Sequence, residues 1–173
     1  MRVAPTTLTE ADPDPLVQAI VARRGGKFID LDKALLVSPP FARGWNAFIG
    51  AVRSELEVEP RLRELAMLTV AILNGADYEF VQHSPPFLAA GGTQAQLDAL
   101  KAMGEGAVES PLFDGLDRAV LVLTIQMTLQ VEVDQRVIDR LKELLPSERD
   151  LVELVGVVAA YNMVSRFLVA LEV

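Results

Sequence analysis

The most informative residue of this 173-residue chain is its single histidine, His83, which follows Glu79 by four positions and Glu64 by nineteen. Carboxyl groups and imidazoles are the groups that most often transfer protons near neutral pH. One carboxylate could orient the imidazole and raise its basicity, while the other accepts or donates a proton. If the protein catalyses a reaction by proton transfer, His83 is therefore the first candidate to carry it.

The composition excludes or disfavours several other kinds of chemistry. The chain has no cysteine, so it has no thiol nucleophile, no disulfide redox couple and no cysteine-bound zinc. A single imidazole disfavours zinc and iron sites, and we expect neither a metal nor another cofactor. The net charge of −8, without any run of basic residues, is unlike a surface that binds nucleic acid.

Helical periodicity dominates the chain, and no segment shows the alternation of a β-strand, which predicts an all-α domain of about eight helices. Pro60 is well placed as the first residue of a helix that runs to Leu73. The interior of this helix, LAMLTVAIL, is apolar on every side, so we expect it to be central and buried. Asn74-Gly75 ends it, and a second helix begins near Asp77. That helix meets Pro85-Pro86, which should bend it or end it.

This pair of helices would bring the three residues of the proton-transfer site together. If the chain reverses at Asn74-Gly75, a rise of about 1.5 Å per residue places Glu64 roughly 16 Å from the turn, His83 roughly 13 Å and Glu79 roughly 7 Å. Glu64 and His83 are then nearly level, and Glu79 lies one turn below His83 on the same helix face. Burial beside an apolar helix would raise the pKa of a carboxyl group towards the range of a general acid.

A purely structural interpretation of the same residues stays open. Glu64 could pair with Arg61 on a helix surface. Glu79 and His83 could form an ordinary pair that faces solvent, and His83 could cap the bend before Pro85. Spacing alone favours this interpretation, because groups with perturbed pKa values are a minority of such pairs.

Three further polar residues are candidates to hold a substrate. Asn162 and Arg166 lie four residues apart in an apolar part of the last helix, so they share a face. Arg166 could bind a substrate carboxylate through two parallel hydrogen bonds. It could equally be a structural arginine that pairs with Glu64 or another acid. Arg63, next to Glu64, is the third candidate.

The rest of the sequence predicts how the chain is organised. Residues 1–13 are polar and rich in proline and should form a flexible arm, whereas residues 14–173 should form a single helical domain. The arm lacks the apolar core of a signal peptide. Nearly apolar stretches such as 65–73 reach about half the length of a membrane span, so we expect a soluble, cytoplasmic protein. A hydrophobic content of 51% favours a homo-oligomer.

The segment from Arg61 to Gly92, RLRELAMLTVAILNGADYEFVQH followed by AAG, resembles the carboxymuconolactone decarboxylase family, which also contains the alkylhydroperoxidase-like thiol enzymes. In those thiol enzymes a glutamate precedes a C-x-x-C pair by twelve residues, and a histidine follows the second cysteine by four. This sequence has the glutamate as Glu64 and the histidine as His83. Ala76 and Glu79 stand at the two cysteine positions.

The resemblance implies an alkylhydroperoxidase D-like helical bundle that assembles into dimers, trimers or hexamers. It does not extend to thiol-dependent peroxidase activity, because alanine and glutamate cannot replace the two thiols. The decarboxylase branch lacks the thiol pair and acts without cofactor or metal on a carboxylated lactone. We therefore expect a cofactor-free lyase or decarboxylase that acts on a small carboxylated lactone or keto acid.

In this hypothesis the catalytic residues are Glu64, Glu79 and His83. His83 is the general base or acid, Glu79 orients it, and Glu64 relays the proton, while Arg166 or Arg63 holds the substrate. The alternative is a thiol-less family member that binds a small molecule or serves in an assembly without turnover. A binder of this kind would be stabilised by its ligand but would release no product.

Overall fold

The computed structural model describes residues 1–173 and contains nine α-helices, one 3-10 helix and no β-strand. The all-α fold class is thereby confirmed, and eight of the nine α-helices are longer than six residues. In chain order the elements are α1 (Pro15–Arg24), α2 (Asp30–Leu35), α3 (Pro39–Ser54), α4 (Pro60–Leu73), α5 (Asp77–Ala89), α6 (Gln94–Met103), the 3-10 helix (Gly104–Glu109), α7 (Gly115–Leu129), α8 (Gln135–Leu144) and α9 (Glu148–Leu171).

The chain forms two compact units. The first comprises Met1–Leu56 together with Ala170–Val173, and the second comprises Glu57–Val169. Helices α1 to α3 belong to the first unit, and Glu64, Glu79 and His83 all belong to the second. The single domain predicted for residues 14–173 stays a prediction.

In the first unit, the start and end of α1 follow from local sequence. Pro15 begins the helix with a preset φ angle, and the carboxylate of Asp14 caps it by accepting the Leu16 N–H at 2.7 Å. Gly25 ends it with a φ of 73°, a left-handed conformation that favours glycine. Residues 1–13, predicted to be a flexible arm, contain no helix, and the Arg2 N–H donates to the Leu171 carbonyl at 2.7 Å.

In the second unit, α4 is buried on all sides, as its apolar interior predicts. Every residue from Leu65 to Ala71 is at most 2% exposed. The one polar side chain in this stretch, Thr69, donates its hydroxyl hydrogen to the Leu65 carbonyl at 2.7 Å, so it needs no partner outside the helix. The helix packs against α5 and α7. The prediction of a central buried helix is confirmed.

A turn at Asn74 and Gly75 joins α4 to α5 in an antiparallel hairpin. Gly75 has a φ of 65°, which a residue with a Cβ adopts only with strain. The side-chain amide of Asn74 donates to Oδ1 of Asn162 at 3.1 Å and to Oγ of Ser165 at 2.7 Å. These two bonds fasten the turn of the hairpin to α9.

The two prolines of α5 lie inside the helix. The sequence predicts that they bend the helix or end it. The prediction that they end it is wrong, because α5 continues through Pro85 and Pro86 to Ala89. Each proline lacks the N–H that would bond to the carbonyl four residues earlier, and those carbonyls belong to Val81 and Gln82. Both of these residues are exposed, so water can bond to the freed oxygen atoms and the helix persists.

Helix α9 is the one helix long and apolar enough to cross a membrane by length and composition. Half of its most apolar 18-residue window is nevertheless buried inside the protein, with Leu154, Val157 and Val158 all 0% exposed. This burial is that of a core helix in a soluble helical domain, where apolar residues surround a helix on most sides. The cytoplasmic location stays a prediction.

We predict that Gly92→Ala destabilises the protein. A Cβ at Gly92 would overlap three ring atoms of Phe87, which is 0% exposed, and a buried ring cannot move without displacing its neighbours. The free energy of unfolding should fall by about 1–3 kcal/mol, measured by urea unfolding.

Gly156→Ala is the matched control for this prediction. No atom lies within 4 Å of a Cβ built at Gly156, and alanine inside α9 should raise the free energy of unfolding by up to about 1 kcal/mol. Two variants of equal stability would show that the Gly92 contact with Phe87 imposes no constraint.

Candidate active site

The hairpin brings His83 and Glu64 into direct contact. Nδ1 of His83 lies 2.6 Å from Oε2 of Glu64, with side-chain exposures of 5% and 15%. The placement of the two residues level across the hairpin is therefore confirmed. Arg61, the alternative partner of Glu64, donates instead to Glu59 and to Asp117, the latter at 2.6 Å.

This contact determines which nitrogen of His83 is available for chemistry. When the carboxylate of Glu64 is ionised it has no hydrogen to donate, and Nδ1 then carries the hydrogen that Glu64 accepts. The other nitrogen, Nε2, is left with its lone pair and can act as a base. The carboxylate of Glu64 also stabilises the imidazolium that forms when Nε2 takes up a proton.

Helix α9 supplies a third side chain to this contact, Tyr161. Its ring meets the His83 ring edge to face, with the centroids 4.9 Å apart and an angle of 87° between the ring planes. Tyr161 is 2% exposed, so the imidazole is held between a carboxylate and a buried aromatic ring. Spacing along the chain does not predict that this residue reaches the site. The only signal for it is a tyrosine inside an otherwise apolar run of the last helix.

Glu79 is buried without a hydrogen-bond partner. It is 2% exposed, and neither of its carboxyl oxygen atoms accepts or donates a hydrogen bond. Removal from water disfavours the charged form and raises the pKa of Glu79 from 4.5 to about 9. At pH 7 Glu79 is therefore a neutral carboxylic acid with a proton to donate.

The absence of a hydrogen-bond partner for Glu79 lowers the stability of the protein and leaves a neutral carboxylic acid available for chemistry. A buried polar group without a partner costs about 1–3 kcal/mol, and such groups are rare enough to require an explanation. Strongly raised carboxyl pKa values concentrate at functional sites. Glu79 precedes His83 by four residues on α5, so the Cβ atoms of the two lie about 6 Å apart on one face.

The carboxyl group that orients His83 is that of Glu64, whereas the sequence predicts that it is that of Glu79. The expectation that Glu79 orients His83 is wrong, because Glu64 makes that hydrogen bond and Glu79 makes none. A residue across the hairpin can approach Nδ1 directly, whereas a residue one turn away on the same helix lies beside the ring. The alternative of a solvent-facing pair is also wrong, since Glu79 and His83 are both buried.

Asn162 and Arg166 do not join this contact. The Asn162 amide donates to Oγ1 of Thr128 at 2.9 Å, and its Oδ1 accepts from Nη1 of Arg166 at 2.7 Å. The same Oδ1 accepts a hydrogen bond from the side-chain amide of Asn74. Asn74 follows Glu64 by ten residues, so this hydrogen bond lies about 15 Å from Glu64 along the axis of α4. The pairing of Arg166 with Glu64 is therefore wrong. Arg166 donates to oxygen atoms of Asn162 and Thr128 and pairs with no carboxylate.

Arg63 precedes Glu64 on α4 and is half-buried. The roles of Arg63, Asn162 and Arg166 in substrate binding stay predictions. No group of three or more histidine, aspartate and glutamate side chains gathers in an arrangement that could hold a metal ion.

The segment that contains the site matches a known family. Residues 39–121 match the sequence model of the carboxymuconolactone decarboxylase family. This segment of the chain belongs to that family. The matched segment runs from α3 into α7 and includes Glu64, Glu79 and His83, whereas Tyr161, Asn162 and Arg166 lie beyond it. The resemblance inferred from residues 61–92 is thus confirmed.

Solved structures share the fold over nearly the whole chain. An uncharacterised peroxidase-related protein from Silicibacter sp. TM1040 is 21% identical, with a TM-score of 0.69 over 97% of this chain and 89% of that one. A cysteine-to-alanine variant of the debrominase Bmp8, in complex with 2,3,4-tribromopyrrole, is 15% identical, with a TM-score of 0.77 over 99% and 90%. No curated protein sequence matches the chain significantly. The predicted alkylhydroperoxidase D-like fold is confirmed.

Within the carboxymuconolactone decarboxylase family this chain is a member without cysteine. Thiol-dependent peroxide reduction requires a thiolate and a disulfide, and neither can form here. Glu79, at the position of a cysteine in the thiol enzymes, offers a proton instead of a nucleophilic sulfur. The groups that remain for chemistry at this position are a carboxylic acid and an imidazole.

We predict that Glu79 makes the protein less stable as the pH rises. Its pKa of about 9 in the folded state exceeds the ordinary value of 4.5, so between these values the folded chain holds a proton that the unfolded chain has lost. The contribution is fully present below about pH 4.5, falls by about 1.4 kcal/mol per pH unit, and is lost above about pH 9. Glu79→Gln cannot titrate and should lack this slope in urea unfolding between about pH 5 and 8.5.

Glu105→Gln is the matched control, because Glu105 is exposed and makes no ion pair or hydrogen bond. It should keep the slope of the unaltered protein. If the Glu79→Gln curve instead ran parallel to that of the unaltered protein, Glu79 would not be a buried neutral acid.

Proposed function

We propose that the protein is a cofactor-free acid–base lyase or decarboxylase that acts on a small carboxylated lactone or keto acid. One observation carries this proposal: a neutral acid and an oriented base share one face of α5. Glu79 is buried without a partner, and His83 is bound through Nδ1 to Glu64. A carboxylic acid that burial keeps neutral, beside an imidazole held by a hydrogen bond, is a usual basis for acid and base roles in one site.

The chemistry of a β-keto acid illustrates what this pair can do. The bond between the carboxylate carbon and its neighbour breaks, CO2 leaves, and the electron pair passes to the adjacent carbonyl as an enolate. Glu79 donates its proton to the developing negative charge. Ionised Glu79 is then disfavoured by its burial, so it readily takes back a proton.

The reaction consumes one proton per turnover, and that proton must come from solvent. His83 lies on the same helix face as Glu79 and can return the proton to it. Glu64, with 15% of its side chain exposed against 5% for His83, is the more accessible of the two. The proposed route therefore runs from solvent past Glu64 to His83 and on to Glu79.

The substrate carboxylate requires a cation, and Arg63 is our candidate. It lies next to Glu64 on α4, at the end of the hairpin where the proton-transfer groups meet. Arg166 donates to oxygen atoms near the opposite end of α4, which makes it the weaker of the two candidates. A guanidinium suits this task because it binds a carboxylate through two parallel hydrogen bonds.

We also propose that the protein works as a homo-oligomer in the cytoplasm. The apolar side chains of Val81 and Leu88 on α5 are 63% and 39% exposed, and those of Phe41 and Phe48 on α3 are 46% and 49% exposed. Large exposed apolar side chains of this kind support an association with further copies of the chain.

We predict that Glu79→Gln and His83→Gln each lower the rate of CO2 release by about 100-fold or more. The assay is NMR detection of product from a panel of carboxylated lactones and β-keto acids. The rate of the unaltered protein should also fall as the pH rises through about 9, because Glu79 then loses the proton that it donates. Glu105→Gln should leave the rate unchanged.

An unchanged rate in His83→Gln would place the reaction elsewhere and overturn the proposal. A different result would favour the alternative function. If no compound of the panel were turned over but some compounds raised the melting temperature of the protein, it would be a thiol-less family member that binds a small molecule without turnover.

A further inference from the structure

A cleft in the first unit concentrates positive charge. It has a volume of about 390 Å³ and is lined by Arg23, Arg24, Gly50, Arg53 and Ser54. No acidic side chain lines it, although the chain as a whole carries a net charge of −8. The cleft lies on α1 and α3, and none of its residues belongs to the candidate active site.

Asp32 holds two of the three arginines in place from behind. It is 0% exposed. Its Oδ2 accepts a hydrogen bond from Nε of Arg24 at 2.9 Å, and its Oδ1 accepts one from Nη2 of Arg24 at 3.1 Å. The same Oδ1 also accepts a hydrogen bond from Nη2 of Arg23 at 3.4 Å. Nε of Arg23 also donates to Oδ1 of Asn46 at 2.5 Å. These bonds fix the geometry of both guanidinium groups.

Arg53 adds a third guanidinium to the lining. It lies in the last turn of α3, is exposed, and makes no hydrogen bond or ion pair within the protein. The charge of Arg53 is therefore not neutralised by an ion pair within the protein. An unpaired arginine beside two fixed ones is an arrangement that an anion would complete.

Helix ends explain part of this arrangement. Arg23 and Arg24 lie in the last turn of α1 and Arg53 in the last turn of α3, where cations interact favourably with the helix dipole. Helix stabilisation does not require that the two ends share one cleft.

We propose that this cleft binds the phosphate of a small organic phosphate monoester. Three guanidinium groups match the three terminal oxygen atoms of such a phosphate, whereas a carboxylate offers two. A volume of about 390 Å³ lies within the range of ligand pockets and leaves room for an organic group beside the phosphate. The lining has no aromatic side chain on which a nucleobase could stack, which favours an aliphatic, hydroxylated group.

The test is calorimetric titration of the full chain with glycerol 3-phosphate and with inorganic phosphate, in a chloride buffer of low ionic strength. We expect glycerol 3-phosphate to bind, and Arg53→Gln to weaken its Kd about tenfold. Arg53→Lys should recover part of this loss. The matched control is Arg43→Gln, an exposed arginine ten residues earlier on α3 and about 15 Å away, which should leave the Kd unchanged.

Three outcomes would overturn the proposal. The first is no heat of binding at millimolar glycerol 3-phosphate. The second is an equal loss in Arg53→Gln and Arg43→Gln, which would indicate attraction by overall charge only. The third is binding of inorganic phosphate or of succinate as tight as that of glycerol 3-phosphate, since the ligand would then not be a phosphate ester. Because Arg53 has no contacts to lose, a melting temperature equal to that of the unaltered protein will show that the variant is folded.

Discussion

The hydrogen bond between Nδ1 of His83 and Oε2 of Glu64 joins points nineteen residues apart in the chain. It can form only while α4 and α5 keep their register, because a slip of one residue moves a side chain about 1.5 Å along its helix and about 100° around it. The turn at Gly75 and the burial of α4 on all sides hold that register. The tautomer of His83, the free Nε2 and the contact with Tyr161 all follow from it.

Two carboxyl groups of one chemical type have different properties at this site because their surroundings differ. Glu64 has a hydrogen-bond donor and partial access to water, whereas Glu79 has neither. The first holds the imidazole through a hydrogen bond, and the second is driven into its neutral form. The site thereby combines an acid with an oriented base in a chain without a thiol, and the buried carboxyl group of Glu79 lowers stability.

Much of this arrangement could be predicted from the sequence, for identifiable reasons. The apolar interior of α4 predicts its burial, and the rise per residue from Asn74-Gly75 places Glu64 level with His83. Neither argument fixes how α5 is rotated about its own axis, so neither could show that Glu79 lacks a partner. The contact of Tyr161 depends on the packing of α9, about eighty residues away in the chain. The passage of α5 through Pro85 and Pro86 depends on the solvent exposure of the preceding turn, which local rules do not contain.

The turn at Asn74 also affects how the protein ages. Asparagine followed by glycine is prone to deamidation, because the glycine nitrogen can attack the side-chain amide and release ammonia. Here the Gly75 N–H donates to the Ile72 carbonyl at 3.2 Å, and the Asn74 amide is held by two hydrogen bonds to α9. Both restrain the attack while the chain is folded. Loss of the amide would put a negatively charged oxygen against Oδ1 of Asn162 where a donor now lies. The hydrogen bonds that fasten the hairpin to α9 therefore also protect the side-chain amide of Asn74, which donates them.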